Sequence, residues 1–226
     1  MTRKTHEDGH RWNIIIVDDH PIIRKGLADL IKQEHDLNVC GAYDEANAAL
    51  AVMESLKPDL AIVDITLRDT SGIELIKDIK IRFPKLPVLV LSMHDESFYA
   101  ERALRAGARG YVMKEEASEK VMTAIRRVLA GEVYLSESVA ARMLSKYVDG
   151  RPEQGSNPVE RLSDRELEVF ELIGRGLGTS QIAEKLHRSI KTIEAHRANI
   201  KRKLQLRTSP ELLRMALQWV QTQETA

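Results

Sequence analysis

The chain has 226 residues, with 34 Lys and Arg balanced by 34 Asp and Glu, 43% hydrophobic and 30% charged; this is a globular composition with room for one large domain or two ordinary ones, and the zero net charge singles out no class of partner. One cysteine, Cys40, excludes an intramolecular disulfide and a cysteine metal cluster. No apolar run approaches the roughly 18 residues that a membrane span requires.

Residues 1–12 are polar and lack the apolar stretch of a signal peptide, which predicts a disordered leader on a cytoplasmic protein. From residue 13 the pattern alternates. Short aliphatic runs at 14–17, 37–41, 60–63, 88–91 and 110–112 read as buried parallel strands. Cys40, in "LNVCGAY", is expected as a buried small residue. Amphipathic helical patterns lie between the strands, such as "PIIRKGLADLIKQ" and "GIELIKDIKIRF". Five such units predict an α/β doubly wound, five-stranded parallel sheet over residues 13–135, with its ligand site at the carboxyl ends of the strands. "SESVAARMLSKYV" predicts a connecting helix over 136–148, and "DGRPEQGSNPVE" a linker over 149–160.

After the linker the pattern is helical only, over 161–222. "LSDRELEVFELIGRG" opens with a capping box from Ser163 to Glu166, and in "SQIAEKL" Gln181 is placed to reach back to Gly178. "IKTIEAHRANIKRKL" is capped by Ser189, and "SPELLRMALQWV" starts with Ser209 as cap and Pro210 at the first helical position. Short helix, tight turn and basic helix together form a helix-turn-helix pattern within a small all-α, four-helix domain. Charge is uneven: residues 1–135 hold 19 basic and 22 acidic side chains, residues 160–226 hold 12 and 9, and residues 185–207 hold eight basic side chains and one acid, Glu194.

The strand ends carry the chemistry. The first ends in Asp18 and Asp19, the third in Asp64, the fourth in Ser92 and the fifth in Lys114, with Tyr111 inside it. Taken singly, Asp64 reads as a cap or turn residue, Ser92 as a turn hydroxyl, Lys114 as a solvated lysine and Tyr111 as a core aromatic. Taken together on one sheet edge, three carboxylates call for a hard cation with oxygen ligands, Mg²⁺ or Mn²⁺. An ionised carboxylate beside that cation can attack phosphorus, and Lys114 and Ser92 can then stabilise the phosphoryl oxygens.

The motifs "VDDHP", "VDITL", "LSMH" and "GYVMK", in that order, resemble the flavodoxin-like receiver domain of two-component response regulators. The resemblance implies Asp64 as phosphoacceptor; Asp18, Asp19, Asp64 and the Thr66 backbone carbonyl as metal ligands; and Ser92 and Tyr111 as switch residues. Arg68 stands where many receivers have a proline. The helices after the linker resemble a LuxR-type helix-turn-helix domain, and the combination resembles the NarL/FixJ subfamily. By physical pattern Ile182, Ala183, Leu186, Ile193, Ile200 and Leu204 form a small core, leaving Lys191, Arg197, Lys201 and Arg202 for a phosphate backbone. On the family pattern Glu194, Ala195 and Ala198 face base edges, and Thr179, Ser180 and Thr192 are phosphate candidates at helix starts.

The resemblance implies a transcription regulator phosphorylated by a sensor histidine kinase, binding double-stranded DNA at two half-sites as a homodimer. Its final helix, with Leu213, Leu217 and Trp219, would pair the two copies. Two other classes compete. One is a receiver-like module controlled by protein partners without phosphate. The other is an aspartate-nucleophile phosphohydrolase, which often has a second acid two residues after the nucleophile, where this chain has Thr66.

Overall fold

The computed structural model describes residues 11–224 apart from Asp69, Asp95, Ala117 and residues 149–157. The chain divides into two compact units, Met1–Ser145 and Lys146–Ala226.

In the first unit, β1 (Trp12–Val17), α1 (Pro21–Lys32), β2 (Leu37–Tyr43), α2 (Ala46–Leu56), β3 (Leu60–Val63), α3 (Gly72–Arg82), β4 (Val88–Ser92), α4 (Glu96–Ala106), β5 (Gly110–Met113) and α5 (Ser118–Leu129) alternate along the chain. The five strands are parallel, in the order β2-β1-β3-β4-β5. This is the doubly wound arrangement with its switch point between β1 and β3. The strands carry almost unbroken aliphatic runs because both faces are covered. Ile14 and Ile16 pack with Leu27 and Ile31 of α1 and with Val121, Ala124, Ile125 and Val128 of α5. Side chains alternate along a strand, so Ile15 and Val17 face the other layer, to which α2, α3 and α4 bring buried residues including Met53, Ile76 and Tyr99.

Residues 1–10 of the expected leader lie outside the described residues. Trp12, the last residue of that leader, instead opens β1, where its amide donates to Asp36 O at 2.9 Å. Cys40 is half-buried rather than buried, and its Sγ approaches Ile14 O at 3.4 Å. β2 runs two residues beyond its expected end, to Tyr43, because it pairs along the whole of β1, through an irregularity between Ile14 and Ile15.

After α5 the chain returns to the β5 edge. Tyr134 bridges Gly110 in parallel; its N–H donates to Arg109 O, and its carbonyl accepts from the Tyr111 N–H, both at 3.0 Å. The connecting helix follows as α6 (Glu137–Val148), with Val139 buried. Of the expected linker, residues 149–157 lie outside the described residues, and Pro158–Arg161 form a 3₁₀ turn that buries Val159.

The second unit holds α7 (Asp164–Gly174), α8 (Thr179–Lys185), α9 (Ile190–Lys203) and α10 (Ser209–Glu224). The Ser163–Glu166 capping box is complete: Ser163 N–H donates to Glu166 Oε2 at 2.8 Å, and Glu166 N–H to Ser163 Oγ at 3.4 Å. Gln181 Oε1 accepts the Gly178 N–H at 2.8 Å. The cap of α10 is Thr208, not Ser209. Its Oγ1 accepts the Glu211 N–H at 3.3 Å, while Glu211 Oε2 accepts the Arg207 N–H at 2.8 Å. This reciprocal pair outcompetes a lone serine and moves Pro210 to the second helical position. α7 and α10 touch closely at Gly174, where a Cβ would stand 2.4 Å from the Ala216 carbonyl oxygen.

Candidate functional site

The parallel register brings the named strand ends to one place. Ile14–Val17 pair with Leu60–Val63, so Asp18 and Asp64 leave the sheet side by side. Backbone bonds carry the register one residue further: Asp64 N–H donates to Val17 O at 2.9 Å, and Lys114 N–H to Ser92 O at 2.8 Å. Gly72 permits the turn into α3, since a Cβ there would lie 1.8 Å from Asp64 O. No side chain fits that approach, and Ser71 caps the helix by accepting the Ile73 N–H at 3.3 Å.

Lys114 enters from β5 almost fully buried, at 1% exposure, and its Nζ lies 2.6 Å from Asp64 Oδ2 and 2.7 Å from Asp18 Oδ2. The other oxygen of Asp64, Oδ1, is buried and has no hydrogen-bond partner among the described residues. One oxygen of that carboxylate is therefore held and the other is uncommitted, as a nucleophile requires. Asp19 Oδ1 also lacks a hydrogen bond, although His20 Nδ1 stands 2.7 Å away at ion-pair range.

His20 was not singled out from sequence, although it sits directly after the paired aspartates. Its Nδ1 is 3.4 Å from Asp18 Oδ1 and 3.6 Å from Asp64 Oδ2. Asp18, Asp19, His20 and Asp64 present ligand atoms all within 4.8 Å of one another, a donor set able to hold a divalent metal ion. Electrostatics fit a cation there. Burial pushes the Asp19 carboxyl above its usual range, with Asp64 and Asp18 adding to the rise and His20 opposing it. Burial opposes ionisation of Asp64 as well, but the nearby His20 imidazole and the Lys114 ammonium outweigh it and hold that carboxyl below its usual value. The same contact with Asp64, against the cost of burial, raises the His20 imidazole.

Ser92 and Tyr111 are buried and meet on a third residue that sequence did not mark, His94. Ser92 Oγ accepts the His94 N–H at 3.2 Å, and Tyr111 Oη donates to His94 O at 2.8 Å. The His94 ring stacks on Tyr99 at 4.5 Å, and its Nε2 lies 2.9 Å from Thr66 Oγ1. Arg68, in place of the usual proline, reaches Asp44 at 3.1 Å.

In the second unit all six expected core residues of the helix-turn-helix are buried. Across from them, α9 exposes Lys191, Glu194, Ala195, Ala198 and Arg202 on one face, flanked by the half-buried Thr192, Arg197 and Lys201. Thr179 and Ser180 open α8, half-buried and exposed respectively. Thr192 joins the cap of α9: its N–H donates to Ser189 Oγ at 3.1 Å, and its hydroxyl lies 2.8 Å from the same atom. Ile190, 51% exposed at the start of α9, is an apolar member of this face that sequence reading passed over. α9 is fixed to α7 by Lys203 Nζ at 2.5 Å from Glu166 Oε2.

Of the proposed pairing residues on α10, Leu213 and Leu217 are exposed, but Trp219 is not available to a partner. It is 7% exposed and packs edge-on against Phe170 at 5.6 Å. Among the described residues no helix is long and apolar enough to cross a membrane.

Comparison with known proteins matches both halves. Residues 14–126 match the family described as response regulator receiver domain, and residues 160–216 the family described as bacterial regulatory proteins, luxR family. The oxygen regulatory protein NreC of Staphylococcus aureus is 37% identical over 209 residues, covering 90% of this chain and 96% of its own. The structure of RcsB from Salmonella enterica serovar Typhimurium, bound to promoter P1flhDC in the presence of a phosphomimetic, is 32% identical with a TM-score of 0.60, covering 92% of this chain and 98% of that one. A LuxR-family response regulator from Aurantimonas is 32% identical with a TM-score of 0.57, covering 61% of this chain and 99% of that one. Similarity at this level spans both units, and the chain belongs to the NarL/FixJ-type two-component response regulators, DNA-binding proteins that join a receiver domain to a LuxR-type helix-turn-helix domain.

Proposed function

We propose that this chain is a cytoplasmic transcription regulator switched by phosphorylation of Asp64, with Mg²⁺ held by Asp18, Asp19, Asp64 and the Thr66 backbone carbonyl. The observation that carries the reading is the split commitment of the Asp64 carboxylate, with Oδ2 on Lys114 and Oδ1 buried and unclaimed among the described residues. Oδ1 attacks the phosphorus of a phosphohistidine on the sensor kinase. The new O–P bond forms as the N–P bond breaks, and the histidine nitrogen leaves with the electron pair. Mg²⁺ held by the three acids would supply positive charge to the phosphoryl oxygens. Lys114 shifts part of its pairing from the carboxylate to the phosphoryl group, and Ser92 turns its hydroxyl toward it, releasing the His94 N–H. Tyr111 then packs against the vacated space.

One hydrogen bond to a charged group contributes about 1.5–3 kcal/mol, whereas moving a population from 1:99 to 99:1 requires about 5.5 kcal/mol. Ser92 alone is insufficient, so Lys114, the metal and a dimer contact through Leu213 and Leu217 share the work. On DNA, Lys191, Arg197, Lys201 and the helix-start hydroxyls of Thr179, Ser180 and Thr192 contact phosphates, while Glu194, Ala195 and Ala198 meet base edges in the major groove. The promoter-bound RcsB structures and the pair of RcsB dimers on two parallel DNAs support binding as a dimer. The test is intact mass after incubation with acetyl phosphate. Wild type gains one phosphoryl increment only with divalent metal, and Asp64→Asn gains none. A stable increment on the variant, or on metal-free wild type, refutes the assignment.

A further inference from the structure

The segment between α5 and α6 is tied to both moving parts of the switch. Its first tie is the backbone of Tyr134, whose carbonyl accepts the N–H of Tyr111 at 3.0 Å. Its second tie is Glu96, the first residue of α4, four positions beyond Ser92. Glu96 Oε1 accepts hydrogen bonds from Ser136 Oγ and, at 3.3 Å, from Ser138 Oγ; the two hydroxyls are 3.0 Å apart. Ser136 is also the cap of α6, since its Oγ accepts the Val139 N–H at 3.3 Å. One carboxylate thus stands at the positive ends of two helices, its own α4 and, through the cap serine, α6. Hydrogen bonds to an ionised carboxylate are roughly twice as strong as neutral ones.

We propose that the clamp of Glu96 on Ser136 and Ser138 is the output coupling of the receiver. It delivers movement of the β4–α4 loop to the start of α6, the helix that leads along the chain to the DNA-binding unit. The inference rests on phosphorylation of Asp64 as the trigger. When Ser92 turns toward the phosphoryl group, the loop from Met93 onward shifts with α4. Glu96 then pulls the cap of α6, while Tyr111 alters the first tie through the Tyr134 carbonyl. No group of the acid site takes part in the clamp, so uptake of phosphate and delivery of the signal are separable.

Full-length wild type, Glu96→Ala and Glu96→Gln are incubated with acetyl phosphate and Mg²⁺. Phosphate uptake is read by intact mass, and hydrogen exchange is followed in peptides covering the first turn of α6, where the Val139 amide reports the cap. In wild type, phosphorylation changes exchange in this turn by about tenfold or more, tenfold being close to the lower end of what one hydrogen bond to a charged group gives. Glu96→Ala takes up phosphate as wild type does but its α6 exchange no longer responds. Glu96→Gln, which keeps an acceptor, recovers part of the response and controls for folding. An Ala variant whose α6 responds as fully as wild type overturns the clamp, as does phosphorylated wild type with no α6 response. Wild type that takes up no phosphate overturns the reading of Asp64 and the clamp with it.

Discussion

The two functional regions use charge in opposite ways. At the strand ends, Asp18, Asp19, Asp64 and Lys114 are nearly removed from solvent, and Lys114 touches both Asp18 and Asp64. On α9 the charged side chains stand on an exposed face, and the helix is held by a core of aliphatics and by the tie from Lys203 to Glu166. Buried charges in contact are strongly coupled, so removing one changes the state of all the others. Exposed charges spaced along a helix act nearly independently and are screened by salt. The receiver is therefore built for an all-or-none response, and the recognition helix for graded, additive affinity.

That contrast is broken most severely at Lys114. Lys114→Ala leaves two buried carboxylates facing each other and, without metal, costs about 3 kcal/mol or more of receiver stability, which added Mg²⁺ restores in part. Phosphate-dependent dimerisation is lost, while metal affinity, carried by the acids, is retained. Parallel fluorescence titration and sedimentation check this; collapse of metal affinity with dimerisation intact would show the roles wrongly divided.

Each unit also has a glycine against which a backbone carbonyl packs most closely, and these sharpen the comparison. Gly72→Ala puts a Cβ against Asp64 O, and Gly174→Ala puts one against Ala216 O. Overpacking of this kind costs about 1–3 kcal/mol or more. Gly72→Ala is expected to impair phosphate uptake and leave DNA binding intact, and Gly174→Ala the reverse. Mass increments and binding to a duplex selected from a random pool distinguish them; a Gly174→Ala protein that binds DNA normally would mean that α7 and α10 separate at no cost to the reading helix.

Smaller effects are expected on α9. Lys201→Ala flattens the slope of log affinity against log salt by about one unit. Glu194→Ala relaxes choice at one base pair per half-site, measured on a panel of single-base variants. A uniform loss across the panel would mean that the helix docks in another register.

The smallest effect belongs to a surface cluster of one arginine and two acids. Arg126, on α5, reaches Asp36 at 2.6 Å and Glu34 at 2.5 Å, and its hydrogen bonds hold the Asp36 carboxyl at about 2. A carboxyl depressed in the folded state stabilises the fold above its unfolded value, about 3.9, and that contribution fades as pH falls through the folded one. The denaturation midpoints of wild type and Arg126→Ala should therefore differ by a small constant amount from pH 7 to 5. The gap should close between about pH 4 and pH 2. A gap that persists at the acid end would assign it to packing of the arginine stem instead.

Much of this was legible in the sequence because it depends on local pattern. Aliphatic runs ending in Asp18, Asp64, Ser92 and Lys114 announce strands, and parallel strands bring those ends together by topology alone. The core of the helix-turn-helix follows from helical spacing. What escaped depends on contacts between distant segments. His94 joins Thr66 to Tyr99 only after folding, and the need for glycine at position 72 appears only when α3 approaches the end of β3. Trp219 reads as an exposed contact on a helical wheel, and only Phe170 on α7 shows that it belongs to the interior.

The return of the chain to β5 also bears on solubility. An outermost strand ordinarily offers a row of free amides and carbonyls to any neighbouring chain. Here Tyr134 takes the carbonyl of Arg109 and the amide of Tyr111, so the sheet does not end there in a bare template for strand addition. The segment that leads into α6 is thus also a guard rail, and a truncation placed before residue 134 would leave a receiver with an open edge, prone to self-association that has nothing to do with phosphate.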